Sequence, residues 1–180
     1  MKKIEELLRK KYHLSSYQLA QLTFLGKMFF SETSKVIIMA IIFQKHLSFY
    51  FFTLSIMIIL RCSTGGLHFY TYLGCLLTST IYIWLAIILL PQIFVPLNLK
   101  LLLMLICIII CYYIGPVPSK YRPPFKDTFI KKCKKTISRF IFFYSLILYI
   151  IPESPYLIIG FWIIILHCFQ LMTAKYTRKE

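Results

Sequence analysis

The chain has 180 residues, is 59% hydrophobic and has a mean hydropathy of +0.74. That is more apolar surface than one soluble core of this size can bury, so lipid must be the solvent for much of it. Its 21 Lys and Arg against 6 Asp and Glu give a formal net charge of +15, but the basic residues lie in blocks separated by nearly uncharged stretches, which argues for positive-inside topology and against a nucleic-acid-binding face.

Residues 1–35 hold seven basic residues, 36–114 three, 115–139 eight, 140–174 none and 175–180 three. The basic blocks mark the expected cytoplasmic side. The charged start, Met1 to Tyr12, has no short apolar run ending in small residues, so no cleavable signal is expected and the N-terminus should stay inside. The six cysteines, at 62, 75, 107, 111, 133 and 168, have neither the paired spacing of a disulfide framework nor that of a zinc site. Reduced thiols and no metal or diffusible cofactor are expected.

In chain order, residues 1–33 read as an amphipathic cytoplasmic or interfacial segment, with Glu5 and Glu6 four residues before Arg9 and Lys10 for helical ion pairs. From Val36 to Leu60 the chain is apolar except at Gln44, Lys45 and His46. Those residues divide it into two runs, each shorter than the roughly 20 residues a straight spanning helix wants. Further membrane runs are predicted at 73–90, 97–114, 137–151 and 156–173. Pro91 with Pro96, and Pro152 with Pro155, bracket two short connections without Lys or Arg, which read as external turns.

With the basic loop 115–139 inside and the turn at 91–96 outside, the stretch before residue 73 returns to the inner face. Residues 36–60 then cross twice as short helices, or form a re-entrant hairpin, turning at Lys45 and His46; one long tilted helix would put that stretch outside. The expected fold is all-α and polytopic, with about six membrane segments, the first two short or re-entrant. The expected organisation is an N-terminal segment 1–33, one transmembrane unit 34–174 containing a cytoplasmic segment 61–75 and the basic loop 115–139, and a cytoplasmic tail 175–180.

Most of the reactive groups fall between Arg61 and Cys75, in Arg61-Cys-Ser-Thr-Gly65-Gly66-Leu-His68-Phe-Tyr-Thr-Tyr-Leu-Gly-Cys75. His68 and Cys75 supply an imidazole and a thiol, the pair that nucleophilic sulfur chemistry requires. Gly65 and Gly66 permit positive backbone dihedrals and close approach, and their amides offer donors to a developing oxyanion. On one continuous helix, seven residues advance about 10.5 Å, too far for a direct His68–Cys75 hydrogen bond. The helix must therefore begin after His68 or kink, and a start just before Cys75 would put the sulfur where a helix favours negative charge. The alternative reading makes His68 an interfacial histidine and Cys75 a small apolar residue.

The run Arg61-x-x-x-Gly65-Gly66-x-His68-x(6)-Cys75 resembles the signature of the accessory gene regulator B (AgrB) family of membrane peptidases, which process quorum-sensing propeptides. The resemblance extends to the basic amphipathic start, the short paired apolar runs, and Pro116-x-x-x-Lys120-x-Arg122-Pro123 at the opening of the basic loop. It implies Cys75 as nucleophile and His68 as base, with Arg61, Gly65 and Gly66 in support. The implied substrate is an AgrD-like propeptide with an amphipathic leader, a core containing Cys or Ser, and an acidic tail. Cleavage through a thioester would release the tail, and the core would close to a thiolactone or lactone. Tyr121 departs from the family by interrupting the basic run.

An acidic tail would be drawn to Lys120, Arg122, Lys126, Lys131, Lys132, Lys134 and Lys135. Orientation on anionic membrane lipids explains the same residues. Cys133, among four lysines, is the rival nucleophile, since those ammonium groups should favour its thiolate. Cys107 with Cys111, and His167 with Gln170, read as positions of helix packing or weak interhelical hydrogen bonding. The expected location is the bacterial cytoplasmic membrane with both termini cytoplasmic. A homodimer is a further expected partner, though no residue points to it, and nucleic acid is not expected. The competing functions are a small transporter or channel component and a noncatalytic peptide-binding scaffold.

Overall fold

In a computed structural model of the chain, residues 15–65, 71–117 and 126–177 are described. The regular structure among them consists of helices: α1 (Ser16–Ile42), α2 (Leu47–Thr64), α3 (Tyr72–Trp84), α4 (Leu97–Ile114), α5 (Asp127–Ile150) and α6 (Pro155–Thr177), with short 3-10 and π turns between them. The chain divides between Gln44 and Lys45 into two compact units.

In the first unit, α1 is capped by a reciprocal pair. The Ser15 hydroxyl accepts from the Gln18 amide at 3.2 Å, and the Gln18 side chain accepts from the Ser15 amide at 3.0 Å, which satisfies two donors at the helix start. Lys35 pairs with Glu32 one turn earlier at 2.6 Å. The helix runs unbroken from the polar, amphipathic part of the sequence into the apolar run after Val36, so the first short run is the end of a 27-residue helix rather than a separate one. Helix propagation costs less than nucleation, and nothing between Ser31 and Val36 breaks it. The Glu5, Glu6, Arg9 and Lys10 pairs lie outside the described residues.

The expected interruption at Gln44–His46 is a single 3-10 turn, after which α2 starts. Among the described residues, four stretches are long and apolar enough to cross a membrane: Gln44–Thr64, Tyr72–Gln92, Leu97–Ile114 and Pro155–Thr177. At about 1.5 Å per residue, helices of this length match a hydrocarbon layer roughly 30 Å thick. The segment after α3 stays coiled to Gln92 through a π turn, Leu85–Leu89, and a 3-10 turn, Leu90–Gln92. Pro91 explains the change of pitch, since it has no N–H to return to the preceding turn and its ring crowds the carbonyl there.

α5 begins at Asp127, ten residues before the predicted apolar run, because the lysine block is itself helical. That charge keeps α5 out of the group of four. α6 is the axis of the second unit, packing on α2, α4 and α5, and 61% of its apolar window is buried against 17% to 33% in the other three. Gly160 makes the α5 contact possible: a Cβ there would collide with the Tyr144 ring and hydroxyl, and that hydroxyl donates to the Leu157 carbonyl at 2.9 Å. Small residues at such crossings let helices approach closely. Elsewhere the large apolar side chains Ile58, Leu77, Ile81, Leu105 and Ile147 are exposed, the surface that a lipid solvent covers.

Candidate active site

Phe49 and Phe52 near the start of α2 pack on Tyr156 near the start of α6, and Thr64 at the end of α2 meets His167 further along α6. The two helices therefore run parallel. α4 also runs parallel to α6, since Cys107 and Cys111 meet Cys168 while Ile114, at the end of α4, lines one hollow with Met172, Lys175 and Tyr176. The C-terminal ends of α2, α4 and α6 thus share one end of the bundle with the lysine-rich start of α5, where Lys134 lies over the Tyr112 ring of α4, 5.4 Å from its centroid.

At that end the chain leaves α2 through Gly65. Its φ of 73° and ψ of −146° lie in a region open essentially to glycine alone. The Gly65 amide donates back to the Arg61 carbonyl at 2.9 Å, so that donor is already used and is not available to an oxyanion. Gly65 also forms a parallel bridge with Val117, and the Val117 amide donates to the Thr64 carbonyl at 3.0 Å. A Cβ on Gly65 would lie 2.5 Å from the Val117 carbonyl oxygen. The residues from which stretches 66–70 and 118–125 continue are therefore neighbours, which the sequence gives no sign of, since 52 positions separate them.

α3 opens at the other end of the signature. The Thr71 hydroxyl accepts from the Gly74 amide at 3.2 Å, and the Cys75 amide donates to the Thr71 carbonyl at 3.1 Å. Cys75 thus stands in the first turn of α3, half-buried, at the end of a helix where negative charge is favoured. The helix begins at Tyr72, after His68 in the chain, as expected. His68 and Gly66 lie outside the described residues, as do Lys120, Tyr121 and Arg122.

Of the other basic positions, Lys126 precedes α5, and Lys131, Lys132, Lys134 and Lys135 fall in its first turns with Asp127 as the acid there. Lys126 at the helix start opposes the helix dipole, whereas Lys131 to Lys135 stand beyond the first turn where that effect acts. Lys126, Lys131, Lys132 and Lys135 are exposed, and Lys134 is half-buried on Tyr112.

Cys133 departs from expectation. Its side chain faces the core of the second unit, and burial pushes its thiol up from the ordinary cysteine range, with the charge of Lys132 pulling the other way. The sequence shows four lysines next to it but not that helical geometry turns them outward and the sulfur inward. Cys107, Cys111 and Cys168 are buried too, with the Cys111 and Cys168 sulfurs 3.6 Å apart. Among the described residues no group of three His, Cys, Asp or Glu side chains comes together to hold a metal ion.

The polar contact that sequence reasoning did not resolve lies beneath Gly65. His167 Nε2 is 2.7 Å from Thr64 Oγ1 with both side chains buried, and Thr64 Oγ1 donates to the Leu60 carbonyl at 2.8 Å.

These features define an all-helical membrane protein whose signature segment runs from the end of one apolar helix to the first turn of the next. The chain belongs to the accessory gene regulator B (AgrB) family, whose model matches residues 1–171. Membership gives it a role in the accessory gene regulator system of quorum sensing. No curated protein and no solved structure matches the chain.

Proposed function

We propose that this protein is a membrane cysteine endopeptidase that removes the C-terminal tail of a small AgrD-like propeptide and leaves the core as an acyl-enzyme ready to cyclise. The observation that carries this reading is Cys75 in the first turn of α3, seven residues after His68 in a chain matched by the AgrB model over 171 residues. A sulfur at that helix end meets an incoming peptide carbonyl where the helix favours negative charge.

In the reaction, the Cys75 sulfur attacks the carbonyl carbon that joins core to tail. The C–N bond breaks, His68 passes the proton it took from the Cys75 thiol to the departing amine, and the acyl group remains on sulfur as a thioester. The thiol or hydroxyl of the core then attacks the thioester carbonyl and gives up its proton, and the ring closes as the Cys75 sulfur leaves. Because a thioester hydrolyses if water reaches it, a site at the membrane boundary preserves the acyl group for cyclisation.

The lysines of α5 fit an acidic tail. They stand on the helix that follows the loop starting at Val117, whose backbone is bridged to the start of the catalytic segment. The catalytic segment and the lysine block both face the cytoplasm in this reading, with the chain in the cytoplasmic membrane.

Co-expression of the propeptide with the wild type, Cys75→Ala and His68→Ala, with tail release followed by mass, tests the assignment. Tail release should be lost with Cys75→Ala and fall about 100-fold or more with His68→Ala, the scale of a lost general base. Release that survives both substitutions would end it.

A further inference from the structure

A buried histidine inside an apolar helix costs free energy unless its ring nitrogens are used. At His167 one of them is used in a definite way. The Thr64 hydroxyl has one hydrogen, and that hydrogen goes to the Leu60 carbonyl, which can only accept. The short contact between Thr64 Oγ1 and His167 Nε2 must therefore have Nε2–H as donor, which fixes the tautomer of the neutral ring. Nδ1 is buried and has no hydrogen-bond partner among the described residues. An apolar side chain of similar shape would fill the position without that penalty.

What the imidazole holds is a junction. Thr64 is tied by its hydroxyl to Leu60 and His167, and by its carbonyl to the Val117 amide. Its methyl lies against Gly115, where an added Cβ would come within 3.3 Å of it. The next residue after Thr64 is Gly65, in its glycine-only conformation. One donor from α6 thus fixes the last turn of α2 and, through the Thr64 carbonyl, the point where the chain leaves α4.

We propose that His167 is a positioning residue for the Cys75 reaction: its Nε2–H bond to Thr64 holds the end of α2 in the orientation from which the segment bearing His68 departs. This rests on the peptidase reading above. Its expected signature is a loss in kcat rather than in KM, because a misaimed segment lowers the rate of the bound complex while the lysine-rich part of α5 still binds the tail.

The test is tail-release kinetics on the full-length purified protein in lipid nanodiscs, using a synthetic propeptide, with thermal unfolding of each variant measured alongside. H167F should lower kcat about 10-fold or more with KM within about 2-fold and the melting temperature unchanged. H167Q, whose amide N–H can reach Thr64, should recover kcat to within about 3-fold of wild type. T64V, which removes the acceptor and keeps the imidazole, should match H167F, and the double variant should be no worse than either single one. If H167F does not accumulate, T64V and H167Q carry the comparison. Wild-type kcat in H167F or T64V, or kcat losses that track melting temperature and are not recovered by H167Q, would overturn the proposal. Cleavage by the wild type that does not depend on Cys75 would instead overturn the peptidase reading, so the two failures are distinguishable.

Discussion

Gly65 gives the sharpest consequence of a single atom. With φ at 73° and the Val117 carbonyl oxygen 2.5 Å from where a Cβ would stand, Gly65→Ala carries a backbone penalty of about 1–3 kcal/mol as well as a backbone collision. Tail release should fall at least tenfold. Gly65→Asn should do no better, since Asn tolerates the left-handed helical region but not this one; activity in either variant near that of wild type would contradict the role given to the Gly65–Val117 bridge. Cys133 gives the opposite kind of prediction. Burial raises its thiol above the ordinary range, so it stays protonated at neutral pH and becomes thiolate only as pH rises through the raised value. Iodoacetamide at pH 7.5 should modify exposed Cys62 well before Cys133, as read by peptide mass, and Cys133→Ala should cleave like wild type.

These two residues also mark what the sequence makes legible at this scale. The permissiveness of a Gly-Gly pair is a local property and is readable, whereas the direction in which Cys133 faces depends on which side of α5 meets α4. The His167–Thr64 bond joins positions 103 residues apart, and in a single sequence a histidine in an apolar run looks the same whether it packs or donates.

Among the elements, α3 and α5 matter most to the proposed chemistry. The start of α3 could be anticipated because a hydrogen bond between side chains seven apart cannot form on one straight helix, and Thr71 supplies the cap that starts it late. The start of α5 could not, because a lysine-rich run reads as a solvated loop until the helix that carries it is seen. The lysines at 131, 132, 134 and 135 stand just past the first turn of that helix. Replacing all four with glutamine should raise the KM for tail release about tenfold, at a few tenths of a kcal/mol for each exposed pair, and should flatten the dependence of the rate on salt. A KM and salt profile matching the wild type would leave those lysines to membrane lipid alone.

For the whole molecule, composition already required lipid as solvent, and the four apolar stretches follow from it. The second unit is arranged around α6, which buries most of its apolar window and has Gly160 where a Cβ would collide with Tyr144. The sequence did not reveal this, since all four stretches are similarly apolar. The parallel course of α2, α4 and α6 brings the ends of the signature and basic stretches to one side of the bundle. In the proposed topology that side is cytoplasmic, so a membrane-impermeant maleimide should label exposed Cys62 in inverted vesicles and not in intact cells.

The central claim is that the Cys75 sulfur carries the propeptide core. Intact-mass analysis of the protein after reaction with a propeptide whose cyclising Cys or Ser is replaced by Ala tests it directly, because the acyl group then has no internal acceptor. The protein should gain the mass of the leader and core without the tail, with the adduct on Cys75 and released by neutral hydroxylamine. Tail release at the wild-type rate with no adduct on Cys75, or an adduct on another cysteine, would contradict the account.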